Sequence, residues 1–363
     1  MRRLEHSIGL CDDALEWIKS YLTDRYQKVT IRQASSEKSE LSTGVPQGSV
    51  LGPLLFSLYM LPLRDIITRH EIQRHHYADD TQLYTRLRIR NGQTGSMEAD
   101  VRRMERCVEE LRSWMTANRL KLNDSKTEVL VVRKKTNKDE TDSIRVKVGD
   151  DVITPSVSVR DLGSYLDSTM SMEEQVSRTV RAGFLQLRRI GHIRRSLDDT
   201  VCAKVINATV TARLDFQNAL LAGSHLCVLK PLQKMQNQAA RMLKKTSRTD
   251  HITPVLRELH WLPVKERTDF KLLVQVQKAV HDTKAPEYLR EMFSLYQAPR
   301  QLRSTDDPYT LTVNRVNRHE GERCASHYGA ALWNTLPADL RCAMTTECFK
   351  KKLKTFLFNR AFN

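Results

Sequence analysis

The sequence predicts an α+β protein. Residues 1–145 read as an antiparallel sheet backed by helices, followed by an all-α basic segment and a mainly helical C-terminal region. Three observations carry this. Short β-rich runs on either side of Asp79-Asp80 read as two strands around a tight turn. Met97, Val101, Met104, Val108, Leu111 and Met115 step by four, three, four, three and four residues, one face of a 3.6-residue period and so a core stripe. From Ser171 to about Lys245 the pattern stays helical. There Arg181, Arg188 and Arg195 are seven apart on one stripe, and Val180, Phe184, Leu187 and Ile190 form another.

Asp12 and Asp13 before Ala14-Leu15-Glu16-Trp17 predict a capped helix. Tyr26 to Gln33 alternates and predicts a strand, with the polar run Glu37 to Thr43 pairing back to it. A Gly/Pro-rich elbow then leads into a helix over about 50–70. Beyond the Met-rich helix, Thr127 to Val132 predicts a strand, and 144–166 predicts short strands with a turn at Gly149-Asp150-Asp151. A polar break at Thr246 to Thr253 ends the basic helices. Helices follow at about 264–282, 286–296 and 345–358.

The formal net charge is +16, and it is uneven. Residues 171–250 hold 14 Lys/Arg against 6 Asp/Glu, and 341–363 hold 6 against 1, so these two segments carry most of the surplus. Such a surplus favours a polyanionic partner. Seven cysteines, none at C-x-x-C spacing, argue against a disulfide framework and a zinc ribbon, and predict reduced thiols in an intracellular, soluble protein. The most apolar run, Val50 to Leu63, is interrupted by Gly52, Pro53 and Pro62 and is too short to span a bilayer, so no membrane partner is expected.

Two segments carry chemistry. In Tyr77-Ala78-Asp79-Asp80, adjacent carboxylates at a strand–turn–strand tip can hold a divalent ion, as nucleotidyl transfer requires; a solvated turn pair is the competing reading. Apolar and aromatic flanks, Tyr77-Ala78 before and Leu83-Tyr84 after, predict that buried strands present the turn. About thirty residues earlier, Gly44-Val45-Pro46-Gln47-Gly48-Ser49 opens a helix. Pro46 sets the chain direction, Gln47 offers a donor and an acceptor, and Gly48 allows close backbone approach. His75 and His76 enter the same turn, where packing is the simpler reading than metal ligation.

Together, Gly44 to Phe56 and Tyr77 to Tyr84 resemble motifs B and C of reverse transcriptases, in the wording of the LINE-type elements without long terminal repeats common in animal genomes, of the L2, CR1 or jockey kind. Trp114, Asn118, Leu120, Leu122 and Asn123, leading into Ser125-Lys126-Thr127-Glu128, are similar to motif D. Leu162-Gly163-Ser164-Tyr165-Leu166-Asp167 resembles the primer-grip motif E. Leu259-His260-Trp261-Leu262-Pro263-Val264 and Leu332-Trp333-Asn334-Thr335-Leu336-Pro337 look like the C-terminal region of these elements.

The resemblance implies an incomplete polymerase palm over 1–145, primer-grip strands over 146–170, a basic helical thumb over 171–250 and the element's C-terminal helical region over 251–363. It implies Asp79 and Asp80 as metal ligands, Lys126 as the proton donor to the leaving pyrophosphate, and Pro46, Gln47, Gly48 and Tyr77 around nucleotide and template. Leu162 and Gly163 would grip the primer, and Arg181, Arg188 and Arg195 would hold the nucleic-acid backbone.

The implied partners are an RNA template, a DNA primer and, if the chain is active, a deoxynucleoside triphosphate. The sequence opens at the Arg3-Leu4-Glu5-His6 run that in the family follows the motif A aspartate. The expectation is therefore that Mg²⁺ or Mn²⁺ binds only once that carboxylate is supplied. Asp12 and Asp13, at a helix start, are poor substitutes. The alternatives for the isolated chain are a non-catalytic nucleic-acid binder and a genomic relic.

Overall fold

The computed structural model describes residues 2–45, 48–88, 95–134, 143–297, 309–316 and 319–363. Two units separate, Met1–Val129 with Asp142–Pro155 and Leu130–Thr141 with Ser156–Asn363.

The first unit begins with α1 (Arg2–His6) and α2 (Asp12–Leu22). The expected side-chain cap on α2 does not form. Cys11 precedes the helix, and Asp12 and Asp13 lie inside its first turn, where their charge meets the positive helix end. The strand expected from Tyr26 is divided. β2 (Thr30–Ile31) and β3 (Ala34–Ser35) form a hairpin. Outside it, β1 (Tyr26–Gln27) pairs with β4 (Ser39–Glu40), so the polar run does fold back, Tyr26 opposite Glu40.

The helix expected over 50–70 forms in two pieces, α3 (Gly52–Met60) and α4 (Leu63–Arg69). Pro62 lacks the N–H needed to continue the first, and it stands at the start of the second. β5 (Gln73–Tyr77) and β6 (Asp80–Tyr84) follow as a hairpin, and then α5 (Gly95–Ala117).

α5 buries the predicted stripe at Met97, Leu111 and Met115 and adds Cys107, which has no exposed surface. Cys107, Leu111 and Met115 pack with Met60, Leu63, Ile66, Ile67 and Ile72. β7 (Val146–Val148) and β8 (Asp151–Ile153) pair across the predicted Gly149-Asp150 turn, with Val146 and Val148 buried. The Lys147 N–H donates to Glu105 of α5 at 2.7 Å. The strand expected at Thr127 to Val132 is absent. Every sheet among the described residues is two-stranded, and none lends this segment an edge.

The second unit opens with the hairpin of β9 (Ser158–Asp161) and β10 (Ser164–Asp167), which leads into α6 (Glu173–Ile193). Asp167 makes the joint. Its carboxylate accepts from Thr169 N and Oγ1 (3.1 and 2.7 Å), Ser171 N and Oγ (2.9 and 3.1 Å) and Met172 N (2.7 Å). Burial works to raise its pKa. The hydrogen bonds, led by the Ser171 N–H and the Thr169 hydroxyl, outweigh it and hold the group below the usual carboxylate range.

A folded pKa below the unfolded one contributes stability above about pH 4, lost as pH falls through the folded value. Asp167→Asn is therefore expected to lower stability by about 2 kcal/mol at pH 7. It also flattens the loss of stability below pH 4, as measured by denaturant unfolding at pH 7, 5 and 3. An unchanged acid limb in the variant would show that Asp167 is not the group responsible.

Beyond α6 come α7 (Asp199–Ile206), a π turn (Asn207–Thr211), α8 (Ala212–Asp215) and α9 (Leu226–Lys244). Val176, Leu187, Ile190, Cys202, Ile206, Leu232 and Met235 are among the core side chains. Phe184, expected in the apolar stripe of α6, is 40% exposed. Gly183 takes the buried position instead, because the side chain of Met235 on α9 fills the space a Cβ would need.

The C-terminal part holds α10 (Ile252–Glu258), α11 (Val264–His281), α12 (Glu287–Glu291), α13 (His319–Glu322), α14 (Ala330–Asn334), α15 (Ala338–Arg341) and α16 (Thr346–Phe362). α12 is shorter than the 286–296 helix expected. α16 extends past the predicted 358 and buries Phe349, Leu353 and Leu357.

The two C-terminal sequence signatures act as polar joints. Leu262 O accepts from Gln236 Nε2 (2.8 Å) and Arg267 Nε (3.0 Å), which ties α9 to α11. Buried Trp333 donates to Tyr309 O at 2.8 Å, and Asn334 exchanges hydrogen bonds with the backbone of Leu311 at 2.9 and 2.8 Å. Asp269 on α11, fully buried, takes bonds from Tyr328 (2.9 Å), Lys265 (3.1 Å) and Arg360 of α16 (3.0 Å).

Candidate metal and nucleic-acid sites

In the β5–β6 hairpin Tyr77 stands opposite Asp80, so the turn residues are Ala78 and Asp79, one position earlier than the sequence suggested. Ala78 takes a left-handed φ of 54° to make the turn. Asp79 sits in the turn and Asp80 begins β6, and both carboxylates are exposed at one tip.

The expectation of buried flanking strands is not met, since Tyr77 is 67% and Tyr84 46% exposed. A two-stranded ribbon has no neighbouring strand or covering layer to bury both faces. Leu83 is its packed residue, set against the α4–α5 core. His75 stacks on Tyr84, and His76 Nδ1 meets Thr81 Oγ1 at 3.1 Å, so both imidazoles are engaged across the strands. Burial, then the charge of Arg74, lowers the pKa of His76 and keeps that ring neutral at pH 7.

Pro46 and Gln47 lie outside the described residues. Gly48 has φ 87° and open space where a Cβ would stand, so backbone conformation is what this position demands. Lys126 is exposed at the end of a 3₁₀ turn (Asp124–Lys126), which Ser125 closes by donating to Asn123 at 2.8 Å and Arg112 ties down at Asp124 at 2.9 Å.

One residue of this unit escaped the sequence reading. The guanidinium of Arg3 lies over the rings of Tyr59 (4.9 Å) and Trp114 (5.2 Å) and donates to Asn118 Oδ1. It thereby joins the N-terminal segment, α3 and the approach to Lys126. The run that begins at Arg3 gives no sign of these contacts, because Tyr59, Trp114 and Asn118 are distant in sequence.

The second unit holds the remaining predicted residues. Leu162 and Gly163 are the two turn residues of the β9–β10 hairpin, with φ of 44° and 89°. Two consecutive left-handed residues are what a tight hairpin turn of matching twist requires. A Cβ on Gly163 would lie 3.1 Å from the ring of Phe216, so glycine is needed for space as well. Behind the turn, Arg178 packs over Tyr165 at 4.0 Å.

Arg181 and Arg188 are exposed on α6, whereas Arg195 lies beyond its end in a 3₁₀ turn (Arg194–Ser196). None of the three has an ion-pair partner among the described residues. Their neighbour Arg194 has the opposite role. Buried, it donates to Met242 O (3.0 Å), Leu243 O (3.0 Å) and Leu197 O (2.8 Å) and pairs with Asp199, closing the end of α9. Spacing alone does not separate it from Arg195.

Among the described residues no three His, Cys, Asp or Glu side chains converge as a metal site, and no helix is long and apolar enough to cross a membrane.

Residues 4–166 match the family described as reverse transcriptase (RNA-dependent DNA polymerase). The chain is 40% identical over 73 residues to the "Probable RNA-directed DNA polymerase from transposon X-element" of Drosophila melanogaster, which covers 20% of this chain and 8% of that protein. It is 30% identical over 178 residues to the "Probable RNA-directed DNA polymerase from transposon BS" of the same organism, covering 48% of this chain and 19% of that protein. The chain thus spans less than a fifth of the length of these curated relatives. No solved structure matches it. The matched residues 4–166 contain both the Tyr77-to-Asp80 tip and the Leu162-Gly163 turn, and over this part the chain is similar to the reverse transcriptase family.

Proposed function

We propose that these 363 residues form the part of a retrotransposon reverse transcriptase that presents one arm of the metal site and grips primer and template. The observation that carries the reading is the exposed pair Asp79 and Asp80 at a hairpin tip, inside the matched residues. The donor type fits Mg²⁺ or Mn²⁺, which take hard oxygen ligands. The donor number does not complete a site, since no third acidic or imidazole side chain converges there among the described residues. Held between this pair and a carboxylate from another strand, the ions would activate the primer hydroxyl and neutralise charge on the leaving group.

The chain's own groups do the rest. Lys126, exposed on its 3₁₀ turn, is the proton donor to pyrophosphate. Pro46, Gln47, Gly48 and Tyr77 line the deoxynucleoside triphosphate and template base. Leu162 and Gly163 face the primer end, and Arg181, Arg188 and Arg195 bind phosphates of the RNA template and DNA primer. Residues 1–145 act as palm and 171–250 as thumb.

The unpaired arginines favour a second reading for the chain as a separate molecule, binding without synthesis, because phosphate contacts need no metal. Primer extension on an RNA template separates the two. Synthesis by the chain joined to the preceding segment of a related element supports the polymerase reading. Salt-sensitive binding with no synthesis from either version supports the second.

A further inference from the structure

We infer that the corner formed by Phe216 and Gln217 belongs to the primer-facing tip of the second unit. Gln217 holds the Leu162–Gly163 turn in place, and Phe216 offers its ring to a nucleotide. The inference deepens the function proposed above and rests on it, because it takes that turn to be where the primer end is held.

Three observations converge on the corner. The first is the amide of Gln217, which spans the turn. Its Nε2 donates to Leu162 O at 2.9 Å, and its Oε1 accepts from the Ser164 hydroxyl. Gln217 itself takes φ 49°, an uncommon conformation for a residue that is not glycine, and these bonds help hold it there.

The second is the exposure of Phe216. One edge of its ring meets Gly163, yet the residue is 50% exposed, with Leu162, 39% exposed, on the same turn. An aromatic side chain held firmly along one edge and open elsewhere is what stacking on a base or sugar requires. Arg213, exposed on α8 three residues earlier, adds a cation to the same segment for an adjoining phosphate.

The third is a brace from outside the matched residues 4–166. Arg267 of α11 donates from Nη1 to both oxygens of Asp215, at 2.9 and 2.7 Å, and Asn218 Nδ2 donates to Asp215 at 3.2 Å. The residues on either side of Phe216 and Gln217 are thereby fixed to the C-terminal helical region. That region acquires a role in this reading, as the support that keeps the corner rigid against the turn.

The test uses the whole chain and a DNA primer annealed to an RNA template, with 2-aminopurine either at the primer 3′ end or well inside the duplex. Stacking on Phe216 changes the fluorescence of the terminal probe on binding. Phe216→Ala is expected to lose that change and to weaken binding roughly tenfold, with the internal probe unaffected. Phe216→Tyr retains both. Phe216→Leu keeps the packing against Gly163 without the ring, so it guards against a variant that merely fails to fold, and it is expected to behave as Phe216→Ala does. Arg267→Ala is expected to give a smaller loss of the terminal signal. A normal terminal signal in Phe216→Leu overturns the inference while leaving the proposed function standing. Failure of the unmodified chain to bind the duplex at all overturns both.

Discussion

Asp79→Asn is expected to abolish primer extension, by a factor of 10² or more, in a form of this chain that has been given the strand and basic residues preceding Arg3 in a related element. The same 363 residues without that addition are expected to give no extension with Mg²⁺ or Mn²⁺. Two-metal catalysis needs oxygen ligands from more than one strand to hold the ions about 3.5–4 Å apart. The β5–β6 hairpin supplies Asp79 and Asp80 from one tip and pairs with no other strand among the described residues. Replacing one carboxylate by an amide leaves the shape of the turn intact and removes a full negative charge where the ions would sit, so the effect falls on rate. Asp80→Asn is expected to be damaging too, and Asp12→Asn, in the first turn of α2, to be silent. Robust extension by the unextended chain that Asp79→Asn eliminates would mean that another carboxylate within these residues completes the site. Extension that survives Asp79→Asn would remove the hairpin tip from the mechanism.

Replacing Arg181, Arg188 and Arg195 together by Ala is expected to weaken binding of primer–template duplex 10- to 100-fold at about 0.1 M salt, equally for unrelated sequences. The salt dependence supplies the sharper readout. Each lost phosphate contact reduces the slope of log affinity against log salt by about 0.9 on a duplex. The triple variant should therefore lose about 2–3 from that slope while its unfolding midpoint stays put, since all three side chains are exposed and unpaired among the described residues. Arg194→Ala should do the reverse. It removes the bonds to Met242, Leu243, Leu197 and Asp199 and destabilises the α6–α9 pair, with little change in slope for whatever remains folded. Equal slopes for the triple variant and the parent would reduce the arginine stripe to a solvated face.

Much of this protein follows from local pattern. The period-3.6 stripe in α5, the helical block after Ser171, the polar break before α10, the turn at Gly149-Asp150 and, to within one position, the turn at Asp79 all depend on residue type and spacing over a few neighbours. The resemblance to reverse transcriptases is legible for the same reason, because the motifs that carry it are short contiguous runs whose chemistry lies in the residues themselves. Burial is another matter. Tyr77 and Tyr84 are exposed because a two-stranded ribbon has no layer over them, and Phe184 is exposed because Gly183 is the residue that faces Met235 across the α6–α9 crossing. Neither partner is close in sequence, so neither outcome can be read from periodicity.

The polar contacts between distant segments were hidden in the same way. Arg3 reaches Tyr59, Trp114 and Asn118, Gln217 reaches the turn at Leu162, and Arg267 reaches Asp215. The two adjacent arginines at 194 and 195 make the point most simply. A sequence presents them as one basic run. Only the tertiary structure turns one inward to close the end of α9 and leaves the other to solvent, because a buried guanidinium is stable only where carbonyls and a carboxylate from other segments converge to satisfy it.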